Sequence, residues 1–478
     1  MIDYAVIFAI CSLVVGAAAW LLATRLRLGP VLSPFSIALL VLVSIFGVRP
    51  LLLSATGDSA FYGHDVLKGF AYSAGVGLVG ISALCAGYYV ANEVQANSTE
   101  RMTRANGESD DAKSLYDRID FVLAAKLGLA TVLVWLAAQL YVGGGIDYLG
   151  TLFAGRSSEN AETQAGIPSI VSALPVVAAI SVAFLRIRKE RNAKLNRAET
   201  RWFWIVVIAA VVPPTALGSR RFLIPTIIAS ACAVGWSSWS ARIRVRYFVL
   251  GAAGFIVLSA IPYVRSAGAR TTESTSFVEA LLTYFQTEGV FGALSQYFVS
   301  YDTEMFDYIA LLHINLLNGF PYGVGRASVG EFVLNPLPAS VSPTLWSDQL
   351  LIYNFGGPCT QPYCPVLSTV GVLAADGGVL LVAAGMLLLG ALMARPTHYL
   401  ERGSLRAVSY FCFWVFVPAS IRGNTPLILS IGLQVVVLVL LGYWALSFSS
   451  RRTGQFPRAS GVSNHGHTLD TSRRRAVR

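Results

Sequence analysis

The sequence predicts an all-α polytopic membrane protein of about eleven transmembrane helices with a large helical extracytoplasmic loop. Three observations predict it. Of 478 residues, 55% are hydrophobic and 13% charged, whereas a soluble protein carries about a quarter charged residues. Mean hydropathy is +0.60. Apolar runs of about 20 residues, enough to cross a bilayer as a helix, recur along the chain. A helix is the form such a run takes in hydrocarbon, because it satisfies its own backbone groups. The net charge of +10 is what basic cytoplasmic loops would give and carries no indication of nucleic acid.

The runs fall at about 4–24, 31–53, 69–91, 121–141, 167–185, 202–218, 222–240, 247–263, 366–394, 407–421 and 425–448. The first, YAVIFAICSLVVGAAAWLLAT, has no basic stretch before it and no cleavage site of small residues, so it reads as a retained helix. Four regions result. Residues 1–263 hold spans one to eight, 264–365 an extracytoplasmic loop domain, 366–448 the last three spans, and 449–478 a basic, apolar-poor cytoplasmic tail with the composition of disorder.

Lysine and arginine set the orientation. TRLRLG follows span one, the polar segment 92–120 follows span three, RIRKERNAKLNRAETR follows span five, and ARIRVR follows span seven. Arg395, Arg402 and Arg406 follow span nine, and seven arginines follow span eleven. These segments hold 26 of the 36 basic residues. All lie after odd-numbered spans, so the positive-inside rule puts them in the cytoplasm, the C-terminus with them and the N-terminus outside. Lys126, inside span four, can snorkel inward.

A minority of arginines breaks this bias. Arg49, Arg156, Arg220, Arg221, Arg265, Arg270, Arg326 and Arg422 all fall on the predicted outer side. One reading is that they snorkel to outer headgroups or cap helix ends. The other is an anion site, since arginine offers a planar fork that binds phosphate through two hydrogen bonds. Asp376, a carboxylate inside the Gly- and Ala-rich ninth span, is expected either to pair with an intramembrane arginine such as Arg49 or to line a polar cavity.

The outer segment 264–365 opens with helix-like apolar spacing and many aromatics between Phe277 and Tyr308, which predicts amphipathic helices on or partly in the outer leaflet. Pro- and Gly-rich turns follow. Arg326, Glu331, Trp346 and Asp348 are the groups this part could project, and Cys359 and Cys364 could form a disulfide on an oxidising side. Cys11, Cys85, Cys232 and Cys412 fall within spans as buried thiols, and no spacing of cysteines or histidines suggests a metal site.

LGSRRFLIPTIIAS between two spans resembles the Gly-Ser-Arg element of the bacterial oligosaccharide repeat-unit polymerases, the O-antigen or Wzy-type family. The outer segment containing GFPYGVGRAS and leading into GVLAADGGVLLVAAGMLLLG is similar to that family's plan. The likeness covers most of the chain as architecture and about 40 residues as motif. It implies an enzyme of the inner membrane that needs no cofactor or metal. Its substrate would be an undecaprenyl-pyrophosphate-linked oligosaccharide delivered by a flippase, with a chain-length regulator as a further partner. Glycan passes from the lipid pyrophosphate to a sugar of an incoming unit, and preorganised cations would meet the charge developing on the leaving group. On this resemblance Arg220 and Arg221 contact the pyrophosphate, with Arg49, Arg265, Arg270, Arg326, Arg422 and Trp346 as further substrate contacts. The base that takes the acceptor's proton would come from Asp302, Glu304, Asp307, His313, Glu331 or Asp348, with Asp302, His313 and Glu331 preferred. A polysaccharide ligase uses the same donor and differs in acceptor. A glycosyltransferase using lipid monophosphates usually carries an acidic pair in its first outer loop, which Asp58 and Asp65 do not form. A transporter or flippase would show an inverted repeat, and none is evident.

Overall fold

The computed structural model of the chain describes residues 2–26, 28, 33–105, 119–143, 145, 169–192, 194–216, 220–236, 283, 285–287, 289, 292, 298, 303–335, 344–357, 365–394 and 405–452. Among them the main helices are α1 (Ile2–Arg25), α2 (Pro34–Thr56), α3 (Phe70–Ala105), α4 (Phe121–Val142), α5 (Leu174–Asn192), α6 (Arg197–Ala216), α7 (Arg220–Trp236), α8 (Met305–Leu317), α9 (Trp346–Phe355), α10 (Thr369–Ala394), α11 (Leu405–Arg422) and α12 (Thr425–Arg452). A two-stranded hairpin, Ala60–Phe61 with His64–Asp65, joins α2 to α3.

Local chemistry sets the helix ends. Ser33 caps α2, accepting from the Ser36 N–H, with Pro34 in the first turn where its missing N–H costs nothing. Asp120 caps α4 through the N–H groups of Val122 and Leu123. Asn196 and Glu199 exchange hydrogen bonds at the start of α6 as a reciprocal capping box. A π-helical stretch, Ser44–Val48, interrupts α2.

Among the described residues six helical stretches have the length and apolar composition to cross a membrane: Tyr4–Arg25, Pro34–Thr56, Leu67–Val94, Phe121–Val142, Thr369–Ala394 and Thr425–Leu446. The protein is thus helical and suited to a membrane. The predicted spans five, six, seven and ten correspond to α5, α6, α7 and α11, which are short or carry charge at one end. The predicted eighth span, 247–263, lies outside the described residues, as do most of 264–302 and the tail from 453. The α3 helix runs on to Ala105, into the polar segment that was expected to be loop.

Glycines bring α3 and α10 into backbone contact. A Cβ on Gly87 would stand 1.9 Å from the Leu387 carbonyl oxygen, and one on Gly390 2.1 Å from that of Leu84. Such small-residue faces let apolar helices gain dispersion contact where no water is displaced. In the other half, Gly128 of α4 lies against Ala178 of α5 and Val206 of α6. The Tyr443 hydroxyl of α12 donates to Ser181 O of α5 at 2.7 Å, and Trp414 Nε1 of α11 donates to Met393 O of α10 at 2.9 Å.

Cys11, expected as a buried thiol, is exposed on α1, and two further expectations are corrected. The ninth span is not one straight helix. Gly377 and Gly378 leave helical geometry, Gly378 at φ 63° and ψ −154°, a conformation open to glycine alone. Leu373 and Gly385 would be about 18 Å apart along a straight helix. Instead Leu373 Cδ1 lies 2.7 Å from where a Cβ on Gly385 would stand. Gly80 of α3 faces Val370, Val382 and Met386 together. The element is therefore a helical hairpin of two legs, 369–376 and 379–394, both packed on α3, with Asp376 at the tip.

The second correction concerns α8. It was expected to lie amphipathically on the membrane surface, but Met305 to Leu312 are all buried. A Cβ on Gly69 would meet the Ala310 carbonyl oxygen at 2.2 Å, and Ser73 Oγ donates to Phe306 O at 2.7 Å. The first two turns of α8, buried all round, belong to a core.

Gly87→Ala should lower stability by roughly 1–3 kcal/mol, since neither backbone can yield. Gly442→Ala, which meets nothing within 4 Å, should be neutral or stabilising by up to about 1 kcal/mol. Thermal melting of the detergent-solubilised protein checks both.

Candidate functional site: a buried charge cluster at one end of the bundle

The last turns of α2, the hairpin, the start of α3, the start of α8 and the end of α11 meet at one end of the bundle. Arg49 of α2 is 6% exposed and Asp307 of α8 is 4% exposed. Arg49 Nε donates to Asp307 Oδ2 at 2.7 Å, and Nη2 pairs with the same oxygen. Its Nη1 donates to Thr303 Oγ1 at 2.9 Å and to Phe298 O at 3.2 Å. The Thr303 hydroxyl donates onward to Phe298 O at 2.6 Å. Either charge alone would be prohibitive here, and the pair with its added hydrogen bonds makes burial tolerable.

Glu304 lies one turn before Asp307, on the same face of the chain entering α8. It is 5% exposed, and the Tyr62 hydroxyl donates to its Oε2 at 3.3 Å. Burial pushes the Glu304 carboxyl up to about 8; Arg49 opposes this, Asp307 adds to it, and Tyr62 and the half-buried Arg422 oppose it more weakly. Burial also raises Asp307, against the pull of Arg49. The result is two carboxyls under two guanidiniums, one locked in an ion pair and one able to change protonation near neutral pH.

Tyr62 reaches Glu304 from a strained place. The hairpin pairs Ala60 with Asp65 and Phe61 with His64, leaving Tyr62 and Gly63 as a two-residue turn at φ 49° and 86°. Such a turn favours Asn-Gly. A tyrosine held there costs about 1–3 kcal/mol, and strain of this kind gathers at functional sites. The hairpin is docked on α9 through His64 Nε2, which donates to Asn354 O at 3.1 Å, and α8 meets the same residue where Asn315 Nδ2 donates to Asn354 Oδ1 at 2.8 Å.

The other residues singled out in the sequence fare differently. Arg49 has its fork turned onto Asp307 rather than open to a phosphate. Asp376 does not pair with Arg49. Its Oδ1 accepts from the Ala327 N–H at 3.0 Å, and its Oδ2 accepts from the Ser328 N–H at 2.9 Å and from the Ser328 hydroxyl. Backbone donors thus stabilise it where a cation was expected. Arg326 is exposed, with Nε donating to Gly323 O at 3.2 Å. His313 stacks on Tyr72 at 3.9 Å, and burial lowers its pKa. Glu331 is buried, accepts from the Ser347 N–H at 2.6 Å, and is raised by burial. Trp346 is buried against Phe320, centroids 5.5 Å apart. Arg220 and Arg221 open α7, but their side chains lie outside the described residues. So do Arg156, Arg265, Arg270, Asp302, Cys359 and Cys364. Among the described residues no group of three His, Cys, Asp or Glu could hold a metal ion.

Sequence reasoning named Glu304 and Asp307 as carboxylates but missed Tyr62 and Thr303. One signal for Tyr62 was available: an aromatic before glycine in a short loop (FYGHD) where asparagine would be easier.

Arg49→Met should cost about 3–5 kcal/mol by leaving Asp307 buried and unpaired, and Asp307→Leu in the same chain should recover most of it. Asp376→Asn should add independently to Arg49→Met. A double-mutant cycle on melting transitions reads both.

The chain matches no family model, no curated protein and no solved structure.

Proposed function

We propose that this protein polymerises lipid-linked oligosaccharide repeat units at the outer face of a bacterial cytoplasmic membrane. In this reading eleven spans place the N-terminus outside and the Glu304 cluster at the extracytoplasmic end, opposite the basic loops. The observation that carries it is Glu304: a buried carboxyl whose pKa is pushed up to about 8 beside Arg49 and Arg422. A general base works best with a pKa near the operating pH. Glu304 takes the proton from the acceptor sugar's hydroxyl as that oxygen attacks the donor's anomeric carbon. The bond from that carbon to the pyrophosphate oxygen breaks, and undecaprenyl pyrophosphate leaves with the electron pair. Arg422 is the described cation nearest this role, and Arg220 and Arg221 are the outer arginines that would grip the diphosphate. Tyr62 orients the Glu304 carboxyl. Arg49 and Asp307 hold the floor of the site and touch no substrate.

The ligase reading keeps the same donor chemistry and changes the acceptor; transport requires no base at all.

In vesicles supplied with undecaprenyl-pyrophosphate oligosaccharide, Glu304→Gln should lower turnover by about 10²–10⁴-fold with protein levels unchanged. Because the base works deprotonated, wild-type turnover should climb as pH rises through about 8 and then level off. Polymer of normal length from Glu304→Gln would remove this assignment. Single-unit transfer to a different acceptor would indicate the ligase, and glycan crossing the bilayer without bond formation the transporter.

A further inference from the structure

The broken hairpin α10 raises a solvation problem. Its second leg, 379–394, reaches about 24 Å at 1.5 Å per residue, while bilayer hydrocarbon is about 30 Å thick. Arg395, Arg402 and Arg406 follow this leg in sequence, the pattern that the positive-inside rule reads as a cytoplasmic end. The tip, with Asp376 and two non-helical glycines, then ends inside the opposite leaflet. Irregular backbone is tolerated at that depth only when other protein groups satisfy it.

The segment 319–335 does this. Gly323 N–H donates to Ala375 O at 2.9 Å. The Ala327 and Ser328 N–H groups donate to Asp376 at 3.0 and 2.9 Å. Gly323 lies so close that a Cβ there would stand 2.2 Å from Asp376 Oδ1. The segment is therefore fixed to the tip at the tip's own depth.

What it turns outward is apolar. Val324 is 78% exposed, Val329 66% and Val333 59%, and Leu380 beside the tip is 85% exposed. Val329 follows Ser328, which bonds Asp376, and Leu380 lies four residues past Asp376, beyond the Gly377–Gly378 break, so these exposed side chains flank the tip. Val324 is held at φ 51°, a genuine outlier for a β-branched residue. In water that conformation would serve only to display a valine to solvent. Arg326, exposed among the valines, has the length to reach a phosphate above them.

We propose that residues 319–335 form a lipid-inserted cap on the hairpin tip, its valines among the acyl chains of a phospholipid leaflet and Arg326 at the headgroup phosphates. The cap contributes polar groups inward to Asp376 and apolar groups outward to lipid. This inference is independent of the glycosyl-transfer reading.

The test uses the full chain in phosphatidylcholine vesicles containing a lipid with a photoactivatable diazirine on its acyl tail, with carbene adducts located by mass spectrometry. Adducts on residues 322–333 should reach within about threefold of those on 379–392, with the hairpin 57–66 near background. Val324→Gly relieves the positive φ, so it should melt no lower than wild type while adducts at position 324 fall at least several-fold. Val324→Asp should reduce adducts across the segment. Background labelling of 322–333 with strong labelling of 379–392 would overturn the proposal. So would cross-links between two copies through these valines in place of lipid adducts, or segment labelling that Val324→Asp leaves unaltered.

Discussion

Arg49 and Asp307 come from helices more than 250 residues apart in sequence, yet each is buried only because the other is. The charge pair fixes the register between α2 and the entry to α8. It also holds Thr303, and with it the turn that carries Glu304. Burial of an ion pair is a costly way to join helices, since well-packed apolar residues serve stability as well or better. Its use here is directional. An apolar contact tolerates sliding, while a guanidinium with four acceptor contacts does not.

The same pair shapes its neighbour electrostatically. Glu304 sits where burial disfavours its charge and two guanidiniums favour it, and burial wins. Were Arg49 free to bind an external anion, the cation nearest Glu304 would move with every ligand. Locked onto Asp307, it supplies a constant field. The strained Tyr62 turn adds a hydrogen-bond donor from a third element, so protonation of Glu304 is coupled to α2, the hairpin and α8 together.

A second polar arrangement solves a different problem without a cation. Asp376 stands at the break of α10 and is satisfied by the backbone N–H groups of Ala327 and Ser328 and the Ser328 hydroxyl. Asp376, expected to pair with an arginine such as Arg49 or to line a polar cavity, has partners of its own, and the two regions are independently built. One is a rigid charge cluster among helix ends. The other is a polar plug beneath an apolar skin.

The amino-acid sequence by itself determined the class of the protein. Apolar runs of bilayer length can satisfy their backbones only as helices, and the places of most spans follow from that alone. Individual pairings were beyond it. Asp376 and Asp307 look alike on paper, each a carboxylate in an apolar run, and Arg49 cannot choose between them until helices are placed in space. The Gly377–Gly378 pair was read as a packing face, because glycine permits both close approach and chain reversal and only neighbouring contacts select between them. The burial of α8 depended on Gly69 and Ser73, distant residues that convert an apparently amphipathic surface helix into core. Periodicity and hydropathy are local properties, legible in one dimension; charge pairing and chain reversal depend on which distant surfaces meet, and tertiary structure alone decided those.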